Sequence, residues 1–360
     1  MISEDVFREE YIRAIKEQKE YARVNPANLE KMIYAFFLLE LLKREKLDFV
    51  FKGGTCLALL FDKPKRFSID VDILTSQSKE EIEKALSRIT DDKKLVRFVL
   101  DEKRSYQAHS IPKAHYYFFF NSVIDKRETG IMLDVLFGEN FYPKTKETDI
   151  NNSFLKIEGE VSKIITPTIN SLTGDKLTAF APNTTGYQYK KELELQIMKQ
   201  LFDLSFLFDE INDYEEVFNS FEAKVKTLNT YPNNNWKSET ILDDIFNSSF
   251  ILSTSGTLLQ NDEKYKYEEF ETGVGRISDF LIQRPFHIQT AIEAASKIAL
   301  LSAKIKMQNA KPLEPFDETE GLAKYIIDDQ RYSLLNKLRK QATLSLYYWN
   351  LAIKTIGASN

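Results

Sequence analysis

The chain has 360 residues, of which 43% are hydrophobic and 29% charged, with 10 Pro and 12 Gly; this composition excludes a linker or disordered tail and leaves length for two domains. A formal net charge of −5 argues against a protein that coats nucleic acid by charge alone. The single cysteine, Cys56, forms no internal disulfide and leaves no room for a zinc-ligand cluster, which predicts a reducing compartment and a cytoplasmic location.

The first twenty residues are charged from the start and carry no apolar stretch of the secretory type. The longest apolar run, Ile33 to Leu42, is about half a membrane span and contains Glu40, so no membrane crossing is expected. Periodicity predicts a helix over 26–46, a short strand over 47–52, a turn at Gly53-Gly54, and a helix restarting at Thr55. A strand is expected over 67–74. A helix then opens at Ser78, where Glu81 stands three residues on in a capping-box arrangement. Three stretches rich in Val, Phe, Tyr and Ile follow at 94–100, 115–123 and 130–137 and read as strands.

Beyond Thr166 the pattern becomes helical, over 171–180, 190–208, 263–281, 288–306 and 332–356, with a polar connection at Tyr231 to Asn235. The expectation is an α+β domain with a mixed sheet over 1–165, followed by a helical domain over 166–360. Arg331, Lys337, Arg339 and Lys340 form the best local basic cluster, which reads either as a nucleic-acid patch or as a solvated helix face.

The chemistry-bearing constellation is Phe51-Lys52-Gly53-Gly54-Thr55, then Arg66-Phe67-Ser68-Ile69-Asp70-Val71-Asp72-Ile73. In a strand, residues i and i+2 share a face, so Asp70 and Asp72 are expected together while Ile69, Val71 and Ile73 enter the core. Two adjacent carboxylates repel each other unless a dication lies between them. Magnesium takes hard oxygen ligands and commonly one or two carboxylates plus substrate phosphates. A Gly-Gly turn from strand into helix exposes backbone N–H groups and a positive helix end to an anion, for which a triphosphate is the obvious candidate. For Thr55, a helix N-cap and a phosphate contact are both open. Asp134 stands in the apolar strand pattern Ile131-Met132-Leu133-Asp134-Val135-Leu136, where an acid needs a reason to be, and is expected to face the same metal site. Together these parts are what metal-assisted phosphoryl transfer requires. Cys56 reads as a small buried residue, and His109, His115 and His287 lack metal-ligand spacing. No P-loop sequence occurs.

The runs FKGGTCLALLF and RFSIDVDIL resemble the nucleotidyltransferase family of the AbiEii/AbiGii type, toxin components of bacterial toxin–antitoxin and phage-defence systems, within the wider polymerase-beta-like nucleotidyltransferases. Leu172-Thr173-Gly174-Asp175-Lys176-Leu177-Thr178-Ala179-Phe180 resembles the family's lysine-bearing helix, and Lys199-Gln200-Leu201-Phe202-Asp203-Leu204 its later Lys-x-x-x-Asp-Leu motif. The resemblance covers about residues 27 to 210 and implies a nucleotidyltransferase fold whose nucleotide-site residues extend over 166–210. It implies Asp70 and Asp72 on magnesium, Gly53 and Gly54 at the triphosphate, Lys176 at the nucleotide phosphates, and a functional role for Asp203. On spacing alone, an i,i+4 ion pair of Asp203 with Lys199 and a solvated pair of Lys176 with Asp175 remain open.

The expected activity is magnesium-dependent transfer of a nucleoside monophosphate from an NTP to a tRNA or protein acceptor. Asp134 would complete the metal site or help deprotonate the acceptor. A cognate antitoxin is the expected protein partner. Two rival readings are a catalytically silent nucleotidyltransferase-like binding module and an antibiotic-type small-molecule nucleotidyl- or phosphotransferase.

Overall fold

The computed structural model describes residues 1–360 except 23, 62, 91–92, 107–110, 283–284, 314–315, 317–321, 341 and 358–360; His109 lies outside the described residues. The chain forms two compact units, one of Met1–Thr168 with Asp279–Pro285, the other of Ile169–Ser278 with Phe286–Asn360.

In the first unit the elements run α1 (Glu9–Glu17), α2 (Pro26–Arg44), β1 (Val50–Lys52), α3 (Gly53–Leu60), β2 (Val71–Thr75), α4 (Lys79–Ile89), β3 (Arg97–Leu100), β4 (Lys113–Asn121), β5 (Glu128–Phe137), β6 (Thr145–Asp149) and β7 (Lys163–Pro167). The seven strands make one mixed sheet in the order β3-β4-β5-β2-β1-β7-β6. The β2–β5 and β1–β7 pairs are parallel and the others antiparallel. The expected strands at 47–52 and 67–74 are shorter than predicted, and β6 and β7 were not visible in the sequence. Strand β6 is Thr-Lys-Glu-Thr-Asp at the sheet edge, mostly exposed, so it has no apolar alternation to read.

Helix α2 opens on an Asn25 side chain that accepts from the N–H groups of Ala27 and Asn28, with Pro26 at the first helical position. Most of its nineteen residues are buried, and the Tyr34 ring stacks on Phe120 of β4 with centroids 3.6 Å apart. Both of its buried acids are satisfied. Glu30 accepts from Ser122 Oγ at 2.6 Å and the Val123 N–H at 2.7 Å, and burial pushes its carboxyl above the usual range. Glu40 accepts from Ser162 Oγ at 2.9 Å and the Ile2 N–H at 3.1 Å. The capping box on α4 forms as expected, Ser78 and Glu81 each accepting from the other's backbone N–H. Asp279–Pro285 joins this unit through the Phe67 N–H donating to Phe280 O at 2.7 Å and the Ile282 N–H donating to Lys65 O at 3.2 Å.

The second unit is helical: α5 (Ile169–Leu177), α6 (Glu194–Asp209), α7 (Tyr214–Leu228), α8 (Ser238–Ser253), α9 (Tyr265–Ile277), α10 (Ile288–Lys306) and α11 (Thr343–Gly357). The helix expected over 332–356 is divided into a 3₁₀ segment, Gln330–Lys340, and α11. In the basic cluster, Arg331 is bonded to Asp329 at 2.6 Å. Helix α8 escapes simple periodicity because polar residues such as Asp244, Ser248 and Ser249 turn inward on it. Asp244 pins the 183–184 turn, accepting from the Asn183 N–H at 2.8 Å and from Thr184 Oγ1 at 2.9 Å. Among the described residues no helix is long and apolar enough to cross a membrane.

Helices α5 and α7 touch backbone to backbone at Gly174. A Cβ added there would lie 2.6 Å from Phe221 N and 2.6 Å from Val217 O. The Gly174→Ala variant is therefore expected to lose about 1–3 kcal/mol of stability through overpacking, read as a lower urea midpoint at unchanged slope.

Candidate active site

The site of the first unit is built on a single row across the sheet. Lys52 on β1 pairs with Asp72 on β2, Asp72 with Asp134 on β5, and Asp134 with His115 on β4. Residues directly opposite each other share a face, so a lysine, two acids and a histidine stand side by side. Two residues along the same face, Val50 and Leu74 form an apolar cluster with Tyr142, against which Leu136 packs. The opposite face carries Phe51, Val71, Ile73, Leu133 and Val135, all buried, which forces the polar row outward.

Asp70 lies one residue ahead of β2 rather than inside it. Its place is set through its backbone, because Thr55 Oγ1 donates to Asp70 O at 2.5 Å. Thr55 is fully buried, and Lys52, not Thr55, is the N-cap residue of α3. Thr55 is thus not the helix N-cap, and its hydroxyl, bonded to the Asp70 carbonyl, braces the acid-bearing segment. Ile69, expected in the core, is only half-buried, since the extended pleat begins at Val71.

Helix α3 starts at Gly53 itself, not at Thr55, and its N-terminus has no side-chain cap, leaving its first N–H groups without the usual internal partner. Gly53 adopts φ +79°, a left-handed conformation that glycine takes without Cβ strain. A Cβ there would lie 2.0 Å from Asp72 Oδ2, so the absent side chain is the space that the Asp72 carboxylate fills. At Gly54 a Cβ would meet Arg66 Nη2 and Ser68 Oγ, each at 2.7 Å. The glycine pair thus admits an acid, a buried guanidinium and a hydroxyl close to the backbone at a helix N-terminus, where an anion is electrostatically favoured.

Asp134 Oδ1 is hydrogen-bonded to His115 Nδ1 at 2.5 Å; the histidine side chain is 5% exposed and the acid 25%. Among the described residues no three His, Cys, Asp or Glu side chains converge as a ready-made ion cage. What the site offers a cation is hard carboxylate oxygen beside an anion-receptive turn. That donor chemistry fits magnesium when phosphates complete its shell.

Lys176 and Asp203 lie in the second unit, on α5 and α6, and the fold brings them together. Lys176 Nζ donates to Asp203 Oδ2 at 2.9 Å and to Gln200 Oε1 at 3.2 Å, all three residues being buried. Lys176 is therefore not a solvated partner of Asp175, which instead pairs with Lys224 at 2.8 Å. Asp203 finds its cation 27 positions away, a contact that helix spacing cannot announce. Sequence reasoning also passed over Lys52, Arg66, Ser68 and His115 as site residues. The first three sit inside the motif runs, whereas His115 shows its place only once β4 is registered on β5.

A seven-stranded mixed sheet that presents an acid row beside a glycine turn, with a separate helical unit, defines an α+β protein of nucleotidyltransferase type. The family model of the AbiEii nucleotidyl transferase toxin of type IV toxin–antitoxin systems matches residues 38–270, and the chain belongs to that family. Among solved structures, JHP933 from Helicobacter pylori is similar at 15% identity with a TM-score of 0.43, over 79% of this chain and 96% of that one. An antigenic nucleotidyltransferase-like protein from Paracoccidioides brasiliensis is similar at 12% identity with a TM-score of 0.35, over 56% of this chain and 89% of that one. No curated protein matches the chain.

Three variants test this geometry without any assay of activity. Gly53→Ala is expected to destabilise by about 1–2 kcal/mol from the left-handed backbone alone, with the Asp72 clash added, read by thermal melting. Asp203→Ala leaves a buried ammonium uncompensated and is expected to cost about 3–5 kcal/mol. The double change Lys176→Met with Asp203→Leu is expected to cost less than Asp203→Ala alone.

Proposed function

We propose that the chain transfers a nucleoside monophosphate from an NTP to an acceptor hydroxyl on tRNA or protein, in a magnesium-dependent reaction that releases pyrophosphate, as the toxin of a pair with a cognate antitoxin. The observation that carries this reading is the fit of Asp72 against the Cβ-free Gly53, which sets a carboxylate immediately beside a helix N-terminus. A bare anion site would exclude an acid from that place; an acid beside a phosphate-type turn makes sense where a cation joins the two. Asp70 and Asp72 would hold magnesium, and the ion would supply charge stabilisation at the attacking and leaving oxygens.

The chain's own residues divide the remaining work. Gly53 and Gly54 present backbone N–H groups to the triphosphate. Arg66 and Ser68, against Gly54, add a cation and a hydroxyl beside the same turn, and Lys52 adds a cation to the acid row. Asp134 completes the cation site or accepts the proton of the acceptor hydroxyl. Lys176 and Asp203, which the family resemblance links to the nucleotide, enter as a pair already bonded to each other; any phosphate contact by Lys176 shares its Nζ with Asp203 and Gln200. A silent binding module predicts NTP binding without turnover, and a small-molecule phosphotransferase predicts release of a nucleoside diphosphate or orthophosphate.

The test is incubation with each α-labelled NTP, magnesium and total bacterial RNA plus protein, comparing wild type with the Asp70→Ala/Asp72→Ala double variant. Label entering RNA or protein with wild type, lowered by at least about 10³-fold (roughly 4 kcal/mol) in the variant, is the expected outcome. Equal transfer by the double variant sinks the assignment of these acids.

A further inference from the structure

Asp134 has two carboxylate oxygens and, among the described residues, a hydrogen bond to only one of them. That bond comes from a histidine held with unusual firmness for a residue at a sheet margin. His115 lies where β4 extends past the end of β3, and the turn after β3 grips its backbone on both sides: the Asp101 N–H donates to His115 O at 2.8 Å and the His115 N–H donates to Ser105 Oγ at 2.9 Å. The residue is 4% exposed. Among the described residues its buried Nε2 has no hydrogen-bond partner, an arrangement that costs stability wherever it occurs. A buried imidazole that leaves one nitrogen unsatisfied and commits the other to an acid in the functional row is kept for the acid.

We propose that His115 is the positioning residue of the site. It donates Nδ1–H to Asp134 Oδ1, fixes the carboxylate torsion, and reserves Oδ2 for the cation or the acceptor proton. In this arrangement the carboxylate only accepts and Nδ1 is the donor, and in the neutral ring Nε2 then carries the lone pair. This is the less demanding way to bury an orphan, since a bare acceptor replaces an unpaired N–H. The inference rests on the nucleotidyl-transfer reading for its consequence in turnover and on the pair's geometry for its structural part. A carboxylate torsion is nearly free in isolation because terminal sp³–sp² torsions are broad. A neighbour that selects one orientation therefore acts on the acid's reach and leaves the NTP-binding turn alone. Partners that orient a ligand or a reacting acid in this way typically contribute 10–100-fold in affinity or activity.

The experiment uses the full chain. His115→Phe, which keeps a flat buried ring and removes the donor, is expected to lower kcat about 10- to 100-fold while KM for the NTP changes less than about twofold. His115→Asn, whose amide nitrogen can replace Nδ1–H, is expected to recover most of that loss. His115→Phe combined with Asp134→Ala is expected to be no slower than Asp134→Ala alone, because the histidine acts through the acid. Independently of activity, two-bond ¹⁵N–¹H correlation of the three histidine rings, with His115 assigned by its disappearance in His115→Asn, is expected to place its proton on Nδ1 in wild type. A proton on Nε2 with Nδ1 bare, wild-type turnover in His115→Phe, or effects that multiply in the double variant would each overturn the proposal. If wild type transfers nothing to any acceptor, the transfer reading fails by itself. Manganese titration then takes the place of turnover: about tenfold weaker binding by His115→Phe with the Nδ1 proton in place upholds the positioning role, and equal binding removes it.

Discussion

The register of β2 against its two neighbours is the constraint on which the rest of the first unit depends. Five residues long, β2 is paired on both edges, antiparallel to β1 and parallel to β5. Because side chains alternate, a slip of one residue would carry Asp72 into the core and turn Val71 and Ile73 to the polar face. Burial of Val71 and Ile73 on one side and of Leu74 against Val50 and Tyr142 on the other penalises that slip at every position. Hydrophobic pattern, rather than any attraction between the polar groups, brings Lys52, Asp72, Asp134 and His115 into one row. The row sets two acids side by side between a lysine and a histidine, and the apolar flanks fix its place in the sheet.

The glycine turn follows from the same register. Once Lys52 is opposite Asp72, the chain leaving β1 must turn over the Asp72 carboxylate. Only a residue that tolerates a positive φ and has no Cβ can occupy position 53. Thr55 then ties the new helix back to the segment ahead of β2 through the Asp70 carbonyl. The strand, turn, helix and acid-bearing segment are thus mutually positioned by short-range sterics and one buried hydrogen bond.

The second unit is organised by a different economy. Its helices pack through apolar faces, yet several contacts are polar and buried: Lys176 with Asp203 and Gln200, Ser171 Oγ to Glu216 at 2.8 Å, and Asp244 beneath the 183–184 turn. Each is satisfied by a partner distant in sequence. Buried ionic contacts of this kind add little net stability but make alternative packings expensive, because a misplaced helix strands a charge. A polar interior also explains why α8 was hard to read as a helix from apolar spacing.

Local features were legible in the sequence wherever a residue's role depends on its near neighbours. The capping box at Ser78, the helix over 288–306 and the burial of Cys56 all rest on interactions within a few residues, and the motif runs sufficed to place the chain in its family. Strand edges were less legible: β6 has no apolar face to display, and β2 starts after Asp70 because pairing, not propensity, decides where a strand begins. Pairwise facts were out of reach. The sequence by itself determined that Asp70, Asp72 and Asp134 stand in or beside apolar, strand-forming runs. Only the tertiary structure decided that Asp72 rests on Gly53, that Thr55 serves the Asp70 backbone, that Asp203 answers to Lys176, and that His115 holds Asp134. Each of these pairs joins residues whose separation along the chain carries no information about their distance in space. That distance is set by sheet register and helix packing, which follow from burying the whole core at once.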